Sequence, residues 1–285
     1  MGGETVVVTG AAGFLGHHVL KLLIALDDAV DEIRCLDTRE PNDLMVKIVE
    51  EQQKKLREKL GRAKRVKWIK GDIRDVNVVE QVLNRADCVI HLAAKIDVWT
   101  DKCEQNVTEL ESINVEGTEN LLRAAVRLGV HKFIHVSSIE AFLGFDTIYY
   151  ATENTVPEAK WFLFGASGST KRDAENKVKQ YSNNKLYRQA NNGNDSLNAI
   201  IVRFPAIYGE FDQHYVSKIL EVTKFFGGKL RRLDNIWIRQ QPIYVENAAW
   251  SLIKAKNCME RDQSISGEGE HDTREHSGDI TTDYI

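Results

Sequence analysis

Three glycines, Gly10, Gly13 and Gly16, follow one another at intervals of three directly after an apolar, β-branched run. A turn of this kind between a strand and a helix presents backbone N–H groups at the positive end of the helix dipole, where phosphate groups bind. The first glycine permits the turn, the second the approach of phosphate, and the third close packing of helix on strand. The pattern predicts a pyrophosphate site formed by Gly10, Ala12, Gly13, Phe14, Leu15 and Gly16. A glycine-rich turn without a ligand is the alternative at this point.

An acidic residue ends the next predicted strand at the position typical of a ribose-binding carboxylate. Asp37 lies close to the ~20 residues after the glycine turn at which such an acid binds the adenosine ribose hydroxyls of NAD. Arg39 follows two residues later and is suited to the 2′-phosphate of NADP. Because the acid stands at the strand end itself, the sequence favours NAD over NADP.

Two further predicted strand ends carry residues suited to the same ligand. The segment Gly71-Asp72-Ile73 follows a short strand, and a carboxylate there can accept a hydrogen bond from the adenine amino group. Ala93 and Ala94 end an apolar strand, where small side chains let the nicotinamide half pass over the sheet. The predicted dinucleotide site therefore also includes Asp37, Asp72, Ile73, Ala93 and Ala94.

Three polar residues stand where catalysis is expected. Ser138 ends the strand predicted from residue 132, at the carboxyl edge where open α/β sheets place their active sites. Lys171 lies near the start of a helix predicted over 170–181. Asn114 sits on an otherwise apolar stripe of a helix predicted over 105–128, and it needs a partner because an unpaired buried amide costs about 1–3 kcal/mol.

The order of these elements predicts a doubly wound parallel α/β sheet, the Rossmann arrangement. We expect a dinucleotide-binding domain over 1–204, a small and truncated C-terminal substrate lobe over 205–263, and a polar, disordered tail over 264–285. A charged segment over 43–60 predicts a surface helix, with apolar positions at Leu44, Ile48, Leu56 and Leu60.

Composition narrows the function classes. The 285 residues carry 38 basic and 42 acidic side chains, a net charge of −4, which argues against a general nucleic-acid partner. The four cysteines have neither disulfide nor zinc-site spacing, so no metal site is expected. Thiols without disulfide spacing are typical of proteins exposed to the reducing cytoplasm, and we expect a location on the cytoplasmic side. The first strand begins too early for a signal peptide, and no apolar run is long enough for a membrane span.

The motifs taken together resemble those of the extended short-chain dehydrogenases/reductases. They are TGAAGFLG at 9–16, LD at 36–37, GDI at 71–73, VIHLAA at 89–94, INVEGT at 113–118, VSSIEA at 136–141 and IYGE at 207–210. The chain resembles more narrowly the 3β-hydroxysteroid dehydrogenase/Δ5-isomerase family. The features that carry this narrower resemblance are IDV at 96–98, SIE at 138–140 and QPIYVENAAW at 241–250.

The resemblance implies a reaction in which NAD takes hydride from the 3β-carbon of a steroid-like alcohol. In the family a tyrosine removes the hydroxyl proton, and a lysine four residues later lowers the tyrosine pKa and holds the ribose. A serine steadies the substrate oxygen and an asparagine supports the proton relay. Ser138, Lys171 and Asn114 match these residues, whereas Ser167 stands at the tyrosine position. A serine hydroxyl has a higher pKa and a shorter reach, so we expect slow hydride chemistry and intact cofactor binding.

Two other functions stay open at this stage. The first is a catalytically impaired NAD(P)-binding sensor or partner-binding module. The second is a related reductase or epimerase with another substrate, such as a nucleotide sugar. A clamp for a sugar pyrophosphate would have to come from Arg231 and Arg232, which read rather as surface charge. The resemblance also implies a homodimer formed by the helices over 105–128 and 170–181, and peripheral association with endoplasmic reticulum or mitochondrial membranes.

Overall fold

The computed structural model describes residues 3–97, 106–145, 148, 150–182, 197–229 and 241–265, with side chains described as far as residue 259. Within these residues six strands form one sheet: β1 (Glu4–Thr9), β2 (Val30–Asp37), β3 (Arg65–Lys70), β4 (Cys88–His91), β5 (Lys132–Ser138) and β6 (Asn198–Phe204). Every neighbouring pair is parallel, and the order is β3-β2-β1-β4-β5-β6. The predicted Rossmann arrangement is confirmed, with the order reversing between β1 and β4.

Helices cover both faces of this sheet. They are α1 (Phe14–Leu26), α2 (Asp43–Leu60), α3 (Val76–Leu83), α4 (Val107–Glu111), α5 (Gly117–Arg127), α6 (Ala166–Ser182), α7 (Val216–Phe225) and α8 (Val245–Ile265). Successive side chains of a strand point to opposite faces. Val6 and Val8 therefore pack in the core with α1, α2 and α8, while Val7 packs with α3, α5 and α6. Burial on both faces explains why β1 is apolar throughout rather than alternating.

The segment after β6 adds a second, two-stranded parallel sheet of β7 (Ile207–Tyr208) and β8 (Ile243–Tyr244). From β8 the chain enters α8, whose buried residues Ala248 and Leu252 join the core formed by α1. The boundary between the dinucleotide-binding domain and the substrate lobe, placed after residue 204, stays a prediction. The predicted tail lies outside the described residues, except for residues 264 and 265, which end α8.

Three helices differ from the prediction. A π-helical turn, Ser112–Glu116, divides the helix predicted over 105–128, and α6 begins at residue 166, after Gly165 with a φ of +56°. In α2 the buried residues are Met45, Val49, Gln53 and Leu56, whereas Leu44 and Leu60 are exposed. Among the described helices, none is long and apolar enough to cross a membrane.

A buried ionic cluster fixes α8 at the amino edge of the sheet. The Lys256 ammonium is fully buried, contacts the Glu4 carboxylate, and lies 3.2 Å from Oδ2 of Asp27 at the end of α1. Lys132 of β5 approaches Glu4 to 2.7 Å from the other side. The cluster therefore connects β1, β5, α1 and α8.

We expect Lys256→Met to destabilise the protein by about 3–5 kcal/mol, because Asp27 would remain buried without its cation. Urea denaturation measures the effect. Lys254→Met is the matched control, since Lys254 is exposed on the same helix. Equal stability of the two variants would contradict the structural role of the cluster.

Candidate functional site

A cleft of about 3100 Å³ lies along the carboxyl edge of the sheet. It is several times larger than the ~300–1,000 Å³ of a typical small-molecule pocket, so it has room for two ligands side by side. Almost all of the predicted site residues border it: Gly10, Ala12, Gly13, Phe14, Leu15, Gly16, Asp37, Asp72, Ile73, Ala93, Ala94, Ser138 and Lys171. Asn114 and Ser167 lie outside its lining.

The glycine turn has the shape that a bound pyrophosphate requires. Gly10 adopts a φ of +69°, and a methyl group added to it would lie 2.7 Å from the backbone N of Ala93. A methyl group at Gly16 would lie 2.4 Å from the carbonyl oxygen of Ala11. Gly13 is the N-cap of α1 and provides no side chain to bond the first N–H groups of the helix. The residues that carry these groups border the cleft, and free N–H groups at a helix N-terminus are suited to an anion.

The Asp37 carboxylate secures this turn while it borders the cleft. Its Oδ2 accepts a hydrogen bond from the backbone N–H of Ala12, at 3.0 Å, and its Oδ1 accepts one from the N–H of Arg39, also at 3.0 Å. The Arg39 side chain is largely exposed, and its Nε lies 3.6 Å from Oδ1 of Asp37. A negative charge thus borders the cleft at the residue predicted to bind the ribose, with an exposed cation beside it.

At the adenine end, Asp72 follows β3 and is held by Arg74. Arg74 Nε lies 3.0 Å from both carboxylate oxygens, and these hydrogen bonds hold the pKa of Asp72 below its usual value. Ile73 is buried against Gly117, so close that a methyl group on the glycine would lie 2.6 Å from Ile73 Cγ1. This contact places the start of α5 against the loop that follows β3.

His91 has a structural role beneath the site. The fully buried ring bonds the hydroxyl of Thr9 at 2.7 Å and the hydroxyl of Thr118 at 2.9 Å. Burial lowers the pKa of His91 to about 3. The ring is therefore neutral, and both of its nitrogens are used to join β1, β4 and α5.

Asn114 connects the two walls of the catalytic end. Its Oδ1 accepts from the backbone N–H of Lys95 at 2.8 Å, and its Nδ2 donates to the carbonyl oxygen of Lys95 at 3.0 Å. The same Nδ2 donates to the Thr170 hydroxyl at 3.1 Å. Asn114 thus has a positioning role, since it fixes the segment that follows β4 relative to the helix that carries Lys171.

Ser138 and Lys171 both border the cleft. The Ser138 Oγ accepts a hydrogen bond from the backbone N–H of Glu140, at 3.2 Å, which leaves the hydroxyl hydrogen available to a ligand oxygen. Burial lowers the pKa of the Lys171 ammonium, while the carboxylates of Glu140 and Glu175 act in the opposite direction. A hydroxyl donor and a cation therefore border the same cleft as the glycine turn.

Ser167 does not take part in this arrangement. It lies in the first turn of α6, its side chain is fully buried, and its Oγ has no hydrogen-bond partner among the described residues. Neighbouring Gly168 packs closely on the loop after β5, because a methyl group there would lie 2.8 Å from the carbonyl oxygen of Glu140. The hydroxyl at the tyrosine position therefore cannot reach a substrate in the cleft.

Two acidic residues of the site were missed by the sequence analysis as functional groups. Glu140 borders the cleft two residues after Ser138. Glu175 is fully buried and forms two hydrogen bonds with Arg203, of 2.9 and 2.8 Å. The signal available was an acidic residue two positions after the strand-end serine for Glu140, and a carboxylate one helical turn after Lys171 for Glu175.

Comparison with known proteins connects this site to a family. The model of the 3-beta hydroxysteroid dehydrogenase/isomerase family matches residues 7–270. The 3 beta-hydroxysteroid dehydrogenase/Delta 5→4-isomerase of vaccinia virus (strain Copenhagen) is 32% identical over 270 residues, and that of monkeypox virus is 31% identical over 270 residues. Both alignments cover 89% of this chain and 66% of the viral protein.

Solved structures share the fold. A double mutant of dTDP-glucose 4,6-dehydratase from Streptomyces venezuelae, with NAD bound, has a TM-score of 0.66 at 22% identity and covers 87% of this chain and 70% of its own. UDP-glucose 4-epimerase from Thermus thermophilus, in complex with NAD, has a TM-score of 0.63 at 21% identity, with 88% and 73% covered.

The chain spans 66% of the length of the viral relatives, and the family match nevertheless runs through nearly all of it. The match includes the glycine turn, the strand ends and α6, which together form the cleft. This chain therefore belongs to the 3-beta hydroxysteroid dehydrogenase/isomerase family.

Proposed function

We propose that this chain is an NAD-dependent oxidoreductase that oxidises a secondary hydroxyl group of a steroid-like alcohol. One observation carries the proposal: the glycine turn, Ser138 and Lys171 border a single cleft at the carboxyl edge of the sheet. A dinucleotide on the turn places its reactive end beside a hydroxyl donor and a cation. The viral relatives named for this activity support the steroid class.

The residues present fit NAD. The closely packed turn at Gly10 leaves room for a pyrophosphate only because side chains are absent, and the N–H groups at the start of α1 bind it. Asp37 holds the ribose hydroxyls and Asp72 lies at the adenine. NAD supplies the hydride acceptor for the oxidation. Ser138 orients the substrate oxygen by donating a hydrogen bond, and Lys171 stabilises negative charge that develops there.

A second candidate is a catalytically impaired dinucleotide-binding protein, acting as a sensor or a partner-binding module. The burial of Ser167 away from the cleft favours it, because no phenol or hydroxyl at that position meets the substrate. A third candidate acts on a nucleotide sugar, and the pair Arg231-Arg232 that would clamp its pyrophosphate lies outside the described residues. We also propose that the protein forms a homodimer and associates peripherally with a membrane on its cytoplasmic side.

The proposed reaction is tested by following NADH absorbance with NAD and a panel of 3β-hydroxysteroids. We expect Lys171→Ala to lower kcat by at least roughly 10²-fold, because a cation at the reacting end is lost. Lys179→Ala, on an exposed position of the same helix, is the matched control. Turnover of the unaltered chain no faster than that of Lys171→Ala would refute the oxidoreductase proposal.

Cofactor choice depends on the charge at position 37. We expect Asp37→Asn to raise the ratio of NADP affinity to NAD affinity roughly tenfold, about 1.4 kcal/mol, because repulsion of a 2′-phosphate is removed while Arg39 remains. Titration calorimetry with both dinucleotides measures the ratio. Asp43→Asn, an exposed change at the start of α2, is the control, and an unchanged ratio at position 37 would contradict the assignment.

The buried serine is expected to contribute nothing to turnover. Ser167→Ala should leave kcat unchanged and the free energy of unfolding equal or higher, since an unsatisfied buried hydroxyl costs about 1–3 kcal/mol. Thr170→Val is the contrasting variant, because the Thr170 hydroxyl is bonded to Asn114 and to the carbonyl oxygen of Ala166. A large loss of activity in Ser167→Ala alone would return Ser167 to the site.

A further inference from the structure

We propose that Glu140 is the catalytic base of this site, accepting the substrate proton in place of the phenol that is absent at position 167. The proposal rests on the proposed oxidoreductase function and names the group that completes it. It follows from the position of the Glu140 carboxylate, from the state of the other carboxylates around the cleft, and from the pairing of the neighbouring cations.

Glu140 lies where a base is needed. It follows Ser138 by two residues, its backbone N–H donates to the Ser138 Oγ, and it borders the cleft together with Lys171. Its carbonyl oxygen packs on the backbone of Gly168, which holds the loop after β5 against the first turn of α6. The Glu140 backbone is therefore fixed between Ser138, which is proposed to bind the substrate oxygen, and the helix that carries Lys171.

The other carboxylates that border the cleft have different tasks or positions. Glu109 pairs with Lys95 at 2.6 Å, and Asp212 accepts hydrogen bonds from three backbone N–H groups at the start of α7. Glu153 is exposed on the segment before α6. Asp37 and Asp72 serve the ribose and adenine ends. By contrast, Glu140 Oε2 is shielded from solvent and has no hydrogen-bond partner within the described part of the chain.

The guanidinium groups next to Glu140 are already paired. Arg172 Nη2 bonds Glu158 at 2.9 Å, and Arg203 is held by both oxygens of Glu175. Both guanidiniums stack on the ring of Phe142, at 4.3 and 4.1 Å from its centroid. Lys171 is the remaining cation that acts on Glu140. The cation that assists a phenol in the family thus stands beside a carboxylate here.

The electrostatic balance suits proton transfer. Burial raises the pKa of Glu140, and the Lys171 ammonium opposes this shift. A carboxylate with a raised pKa binds a proton more readily than an exposed one, and general bases are effective when their pKa approaches the working pH. Within the described residues, the charge that acts on Glu140 is the Lys171 ammonium, while Arg172 and Arg203 are paired with Glu158 and Glu175.

The proposed step balances. The O–H bond of the secondary alcohol breaks and its proton moves to the Glu140 carboxylate, while the C–H bond breaks and its hydride leaves to oxidised NAD. The alcohol becomes a ketone, NAD becomes NADH, and the carboxyl group later releases the proton to solvent. Ser138 holds the oxygen throughout, and Lys171 offsets negative charge on it.

The test compares Glu140→Gln with Glu140→Asp, and uses Asp173→Asn as the control for an exposed carboxylate on α6. We expect Glu140→Gln to lower kcat with a 3β-hydroxysteroid by roughly 10²–10⁴-fold with the NAD dissociation constant unchanged. Glu140→Asp should retain more of the rate than Glu140→Gln does. In a third variant, Glu140→Ala, added formate should restore part of the turnover, because it supplies the missing carboxylate. The unaltered chain should lose activity as the pH falls through the Glu140 pKa, because only the ionised carboxylate accepts a proton.

A second readout needs no turnover. Infrared difference spectra of the unaltered chain against Glu140→Gln, recorded without NAD, should show a carboxyl group that becomes protonated at higher pH than an ordinary glutamate. If the Glu140 carboxyl group became protonated at the same pH as an ordinary glutamate, the proposal would be overturned. An unaffected kcat in Glu140→Gln would do the same and leave the oxidoreductase function standing.

The variant Ser167→Tyr separates the two proposals. If the unaltered chain is inactive and Ser167→Tyr oxidises a hydroxysteroid, Glu140 does not replace the phenol and the site is nevertheless a dehydrogenase site. If both chains bind NAD and neither oxidises any hydroxysteroid in the panel, the proposed function fails, and the role of Glu140 fails with it. Circular dichroism verifies that each variant is folded.

Discussion

The geometry of the candidate site depends on the buried amide of Asn114, which links the segment after β4 to α6. This amide bonds both the N–H and the carbonyl oxygen of Lys95, and it reaches the Thr170 hydroxyl next to Lys171. Asn114 lies in the π-helical turn at Ser112–Glu116, where it is buried behind the lining of the cleft. π-Helical turns are frequent at functional sites. The amide is therefore one of the contacts that hold α6 against the segment after β4.

The geometry of the glycine turn was predictable because it is local. Gly10, Gly13 and Gly16 lie where an added side chain would be crowded, and Asp37 lies at a strand end beside the cleft, so spacing locates all four. Their contacts with a cofactor stay predictions. The apolar face of α2 was less predictable. Its sequence pattern predicted that Leu44 and Leu60 would be buried, whereas the buried face begins one residue later, at Met45. Two hydrogen bonds are found on this helix, one from the N–H of Met45 to the Asn42 side chain and one from Gln53 to the carbonyl oxygen of Lys64.

The catalytic half depends on contacts between distant segments, and those leave little trace in spacing. Ser167 could be placed by counting from Lys171, but its burial follows from the earlier start of α6 and the close approach of Gly168 to the loop after β5. The pairing of Arg203 with Glu175 joins β6 to α6 and could not be read from either segment alone. That pairing determines which cations remain for Glu140.

The histidines beneath the sheet edge have a consequence for how the site responds to pH. His91 and His135 are both buried, burial lowers the pKa of each, and their rings lie 5.3 Å apart. Because burial disfavours the charged form, both rings are neutral near pH 7 and add no positive charge beneath the cleft. A response of ligand binding to mild acidification therefore has to come from other groups that border the cleft, such as the Glu140 carboxylate.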